Sequence, residues 1–124
     1  MRLLLDTHIL LWWLSQDPKL NDETMKLIRD TPDVYISVAT MWELGAKQQI
    51  GKITAPDDVL ERVESAGFTH LAIGFHHAVT ASRLPLIHRD PFDRMLVAQA
   101  RCEGLTLVTR DSDIQKYEVD TLAI

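Results

Sequence analysis

Short apolar runs alternate along this chain with longer stretches whose apolar residues recur at helical spacing. Residues 3–5 are three consecutive leucines, and 34–38 read Val-Tyr-Ile-Ser-Val between turn residues. Both predict short buried strands. Residues 68–73 and 106–109 read the same way, and 119–122 is a candidate closing strand. The helices lie between them. Residues 9–14 form one that Asp17-Pro18 ends, and 23–29 form a second, capped by Asn21 or Asp22. Others are predicted over 39–49, stopped by Gly51, over 59–65, closed by Gly67, and over 75–83, ahead of Pro85. A longer one opens at Asp90-Pro91 and closes at Gly104, and 111–117 is a last short helix.

Strand and helix alternate throughout, with no long linker, repeat or low-complexity tract. Such a pattern predicts an α/β fold of three layers, with helices on both faces of a mostly parallel, four- to five-stranded sheet. In these sheets the ligand crevice lies outside the carboxyl ends of the strands. Asp6 directly follows the first strand, and Asp111 lies two residues beyond Thr109 at the end of another. Both acids are therefore expected at one edge of one sheet.

Composition narrows the reading. A chain of 124 residues, 46% hydrophobic and 25% charged, is expected to be a single domain over 1–124 with a sizeable core. Its one cysteine, Cys102, excludes an internal disulfide and a multi-cysteine zinc site, and its expected role is a small apolar residue late in a buried helix. The apolar run 9–14 is too short for a signal peptide or a membrane span, which makes a cytoplasmic protein the expectation. A net charge of −5 argues against general attraction to polyanions. Arg83, Arg89, Arg94, Arg101 and Arg110, however, fall in the same third of the chain as Asp90, Asp93 and Asp111. A site that holds a cation and then a phosphate needs both signs close together.

The stretch from His88 to Ala100 carries most of the chemistry. Asp90 stands at an N-cap position, Pro91 at the first helical position, and Asp93 in the first turn, where the helix dipole favours an ionised carboxylate. Taken alone, this is ordinary capping. Asp6 and Asp111 also have capping as an alternative, and Asp113 shares or replaces Asp111. Glu43 has two structural alternatives: a capping box with Thr40, and an i,i+4 pair with Lys47. Convergence is the stronger reading. If Asp6, Glu43, Asp93 and Asp111 share a crevice, like charge and burial raise their pKa values unless a cation intervenes. All-oxygen ligands favour Mg²⁺ or Mn²⁺ over zinc, and such an ion activates water against a phosphate ester. Arg94 and Arg110 are the candidate phosphate contacts. His88 is expected in hydrogen bonding or exposed to solvent, while His76 and His77 carry no evident chemistry.

The blocks Leu3-Leu4-Leu5-Asp6-Thr7-His8, Ser37-Val38-Ala39-Thr40-Met41-Trp42-Glu43-Leu44, residues 90–100 and Leu107-Val108-Thr109-Arg110-Asp111 stand in order. Together they make the chain resemble the PIN-domain nucleases, and within them the VapC-type toxins of bacterial toxin–antitoxin pairs. The resemblance covers essentially the whole chain. It implies a metal-dependent endoribonuclease using Mg²⁺ or Mn²⁺, with Asp6, Glu43, Asp93 and Asp111 as its four acids. Asp90 is then an additional acid in an outer supporting place, and Thr109 is similar to the hydroxyl residue that precedes the fourth acid. The family further implies an RNA substrate, a homodimer, and inhibition by a small antitoxin lying across the groove. The alternative from another class is a non-catalytic or phospho-receiver-like signalling module. That fold wants an acidic pair after its first strand and a lysine where Arg110-Asp111 stands here.

Overall fold

The computed structural model describes all 124 residues, Met1–Ile124. Its strands are β1 (Arg2–Leu5), β2 (Asp33–Ser37), β3 (Thr69–Leu71), β4 (Thr106–Thr109) and β5 (Thr121–Ala123). Its helices are α1 (Thr7–Leu14), α2 (Asp22–Asp30), α3 (Val38–Gln49), α4 (Val59–Ser65), α5 (Phe75–Arg83) and α6 (Pro91–Glu103). The five strands form one sheet in the order β3-β2-β1-β4-β5, and every pairing is parallel. From β1 the chain works outward to β3, then returns to add β4 and β5 on the opposite side. The order therefore switches direction between β1 and β4, which places a crevice at their carboxyl ends.

Side-chain alternation divides the core in two. Leu3 and Leu5 face one side with Val34, Ile36 and Val108, covered by Ile9 and Leu10 of α1, Ile28 of α2 and Val63 of α4. Leu4 and Leu107 face the other side, beneath Leu96, Val97, Ala98 and Ala100 of α6 and Leu84 after α5. Helix α3 packs on both α1 and α6 and so reaches each layer. Gly104 closes α6 in a left-handed conformation, φ 66°, which costs a residue without Cβ little and a residue with one more. No helix is long and apolar enough to cross a membrane.

Several boundaries differ from those expected. Helix α1 starts at Thr7, because Asp6 itself is the cap and takes the His8 N–H. Strand β2 ends at Ser37, whose hydroxyl caps α3 through the Ala39 N–H, so Val38 belongs to the helix. The capping box at Thr40, one of the structural alternatives for Glu43, is thereby absent, and Glu43 lies well inside α3. Residues 111–117 hold only a 3₁₀ turn over Ile114–Lys116, since the Asp111 carboxylate accepts the N–H groups of Asp113 and Ile114 and tightens the chain. The last strand falls at Thr121–Ala123 rather than 119–122. Cys102 is exposed rather than buried.

One buried polar contact holds α6 in register with the sheet. The Ser37 hydroxyl donates to Gln99 Oε1 at 2.5 Å, and Gln99 Nε2 reaches the Ala72 carbonyl at 3.3 Å, with both side chains fully enclosed. Replacing Gln99 with leucine leaves the Ser37 hydroxyl and the Ala72 carbonyl short of a partner. The expected cost is about 1–3 kcal/mol, read as a lower midpoint in urea unfolding with an unchanged slope.

Candidate active site

Two threonines and two strand ends frame the crevice. Asp6 leaves β1 in extended conformation and is only 5% exposed. One of its oxygens accepts the His8 N–H at 3.3 Å, and the other accepts the Thr109 hydroxyl at 2.6 Å. That same Thr109 oxygen accepts the Asp111 N–H at 3.0 Å. A single hydroxyl at the end of β4 thus ties the acid of β1 to the segment that carries Asp111.

The α3 side is built around Glu43, 1% exposed. Thr7 donates to its Oε1 at 2.5 Å, and Lys47 Nζ donates to its Oε2 at 2.6 Å. Lys47 also reaches Asp90 Oδ2 at 2.9 Å. Asp90 caps α6 as expected, its Oδ1 accepting the Phe92 N–H at 2.9 Å. The i,i+4 pair of the sequence is therefore present, but it is half of a bridge between two helices.

His88 closes the third side. Its Nδ1 accepts the Asp90 N–H at 3.1 Å, which leaves the ring proton on Nε2. From there it lies 3.0 Å from Asp93 Oδ2 and 2.9 Å from Asp111 Oδ2. One N–H is shared between two carboxylates.

Asp6, Glu43, Asp90, Asp93 and Asp111 line one cleft of about 380 Å³, together with Lys47, His88 and Arg110. The crowding shows in their acidities. Burial, reinforced by the charges of Asp6, Asp90 and Glu43, pushes Asp93 up to about 7. Burial likewise raises Asp6 against the opposing Thr109 hydrogen bond. Asp90 and Asp111 are held below the carboxylate range: burial opposes this, but the Lys47 and His88 hydrogen bonds, respectively, and backbone N–H groups prevail. The His88 imidazole is raised, burial being outweighed by Asp111 and Asp93, and Lys47 is raised by Glu43 and Asp90 against its own burial. Buried carboxylates that still repel one another, with oxygen as the donor atom, fit a hard divalent cation.

Other candidates fall elsewhere. Arg94 is not available to a phosphate: its guanidinium donates to the carbonyls of Ala81, Leu84 and Pro85 at 2.8, 3.0 and 2.9 Å and clamps the turn between α5 and α6. Arg110 does line the cleft, stacked 4.8 Å over the Trp12 ring, with one nitrogen on the Lys19 carbonyl. Asp113 turns its carboxylate to Lys116 at 3.0 Å, although it lies close to His88 and Asp111. At the far end of α6, His76 and His77 both approach Glu103, at 3.2 and 3.1 Å. His77 takes the Gly74 N–H on Nδ1, so its Nε2 is a donor to Glu103 and not a ligand. Thr7 and the long reach of Lys47 were not foreseen from the sequence.

The raised Asp93 carboxyl sets a pH dependence. In the metal-free protein the folded state holds this proton up to about pH 7, while the unfolded chain loses it near 4. The contribution is fully present below 4 and lost as pH rises through 7. Asp93→Asn removes that loss. In chelator, the variant is expected to match wild type near pH 4 and to exceed it by roughly 1–4 kcal/mol at pH 8, measured by denaturant unfolding.

Comparison with known proteins agrees with this architecture. The PIN domain family model matches residues 3–120. Ribonuclease VapC22 of Mycobacterium tuberculosis is 27% identical over 122 residues, spanning 92% of this chain and 90% of that protein. Among solved structures, DNA-bound VapBC from Salmonella typhimurium superposes with a TM-score of 0.72 at 21% identity, covering 99% of this chain and 98% of the other. VapBC2 from Rickettsia felis, bound to a DNA fragment from its promoter, gives 0.74 at 14% identity with the same coverage. FitAcB from Neisseria gonorrhoeae gives 0.66 at 20%, covering 97% and 96%. The structural likenesses speak for the fold, and the family match, running from β1 nearly to β5, speaks for descent: the chain belongs to the PIN-domain family.

Proposed function

We propose that this chain is the toxin of a toxin–antitoxin pair, a single-domain endoribonuclease that hydrolyses RNA phosphodiester bonds in the cytoplasm with Mg²⁺ or Mn²⁺. One observation carries the reading: five carboxylates from four separate segments meet in one cleft at the switch point of a parallel sheet. Family membership and the likeness to a VapC ribonuclease support the activity. The VapBC and FitAcB complexes among the structural neighbours support an antitoxin partner. A homodimer accords with the exposed apolar side chains of Val38 and Trp42 on α3.

In this reading Asp6, Asp93 and Asp111 hold the ion. When bound, it polarises a phosphoryl oxygen and lowers the pKa of a water. Water adds to phosphorus and gives up a proton, the bond from phosphorus to the 3′ oxygen breaks with that oxygen protonated from solvent, and the products carry a 5′ phosphate and a 3′ hydroxyl. The residues of the chain arrange this. Thr109 fixes the rotamer of Asp6, and His88 fixes the inner oxygens of Asp93 and Asp111. Glu43, held by Thr7 on one oxygen and Lys47 on the other, keeps a lone pair on each and orients or deprotonates the attacking water. Arg110, which lines the cleft and has one nitrogen held by the Lys19 carbonyl, is the candidate phosphate contact through its remaining donors.

A phospho-receiver module fits less well. Only Asp6 follows β1, and β4 is followed by Arg110-Asp111, with no lysine there.

The test is RNA cleavage by matched preparations of wild type and Asp93→Asn, each with Mg²⁺ and with chelator. Cleavage is expected from wild type with metal alone, and the variant is expected to fall by at least about 100-fold while remaining folded. Equal cleavage by both proteins would refute the assignment.

A further inference from the structure

We propose that Lys47 is a built-in cation: its ammonium fills the subsite between Glu43 and Asp90, so that the cleft takes one divalent ion, at Asp6, Asp93 and Asp111, and not two. The inference rests on the metal-dependent reading above and specifies how many ions the site accepts.

The five acids of the cleft fall into two groups by what the protein already gives them. Glu43 and Asp90 share a lysine ammonium. Lys47 Nζ lies 2.6 Å from Glu43 Oε2 and 2.9 Å from Asp90 Oδ2. The outer oxygens have their own donors, the Thr7 hydroxyl on Glu43 Oε1 at 2.5 Å and the Phe92 N–H on Asp90 Oδ1 at 2.9 Å. The ammonium occupies the space between this pair, and its charge already answers theirs. The second group has hydrogen-bond donors but no lysine or arginine paired with it. Asp93 and Asp111 share the single Nε2 proton of His88, Asp111 also accepts the N–H groups of Asp113 and Ile114, and Asp6 accepts the Thr109 hydroxyl and the His8 N–H.

The ammonium is held in place from several directions. Its two carboxylate partners come from different elements, the middle of α3 and the cap of α6, 43 residues apart for Lys47 and Asp90. Its nitrogen also lies 5.8 Å from the Phe92 ring centroid, within reach of a cation–π attraction. A second divalent ion between Glu43 and Asp90 would need the same oxygens at about 2.0–2.1 Å and would have to expel this ammonium. Lys47 is thus a positioning residue. It draws Glu43 and Asp90 together with one fixed positive charge and leaves the exchangeable ion to the other three acids.

The experiment counts bound Mn²⁺ per chain from the loss of the free-ion electron paramagnetic resonance signal. Wild type and Lys47→Arg are expected to bind one. Lys47→Met keeps the apolar stem and removes the charge, and is expected to bind two. Lys47→Gln, which also lacks the charge but can hydrogen-bond both acids, carries the same expectation should the methionine variant not fold. Asp93→Asn is expected to lose at least tenfold in affinity for its one ion. The double variant Lys47→Met/Asp93→Asn is expected to bind one ion between Glu43 and Asp90. Two ions in wild type, or a single ion in both neutral variants, would overturn the proposal while leaving the metal-dependent reading intact. No ion in wild type would overturn that reading and this inference together.

Discussion

Carboxylates gathered at the edge of a parallel sheet repel one another, and the local structure around the cleft answers that repulsion. Asp6, Glu43, Asp90, Asp93 and Asp111 share a space of about 380 Å³. Desolvation makes each charge dearer, and each neighbour adds to the cost. The protein offsets part of this with Lys47, with the shared His88 proton and with the Thr7 and Thr109 hydroxyls. It does not offset all of it, as the displaced acidity of Asp93 records. A cleft left in this condition favours a cation and then an anion carried to that cation, which is the order a metal-dependent phosphodiesterase requires.

The fold can hold such a site because its stability is assembled elsewhere. Two apolar clusters, one on each face of the sheet, enclose Leu3, Leu4 and Leu5 of β1. The acids begin one residue later. Capping and chemistry are not alternatives here: Asp6 gives one oxygen to the start of α1 and keeps the other in the cleft, and Asp90 divides its oxygens likewise between α6 and Lys47. The helix starts that bury the apolar faces are the same points that aim the carboxylates.

What could be read from the sequence follows from local rules. The leucine run, the Asp90-Pro91 start, the Gly104 stop and the spans of α4 and α5 are set by neighbours in the chain, and they stand where expected. The switch point was legible as well, because strand–helix alternation implies a parallel sheet and the position of Asp6 follows from it. Contacts between distant segments were not legible. Glu43 and Lys47 formed a plausible i,i+4 pair, and only the packing of α3 against α6 brings Asp90 to the same ammonium. Arg94 looked free for phosphate, but the turn after α5 presents it with three carbonyls. The shortened helix after β4 has a comparable cause, since Asp111 competes for the N–H groups that a regular helix start would leave to water.

The central claim is that the cleft's unrelieved negative charge is what a divalent cation answers. Thermal unfolding of wild type with and without Mg²⁺, at pH 6 and at pH 8, tests it most directly. Below about 7 the ion must displace the Asp93 proton, so the account predicts a small rise in Tm with Mg²⁺ at pH 6 and a clearly larger one at pH 8. The same rise at both pH values, or none at either, would contradict it.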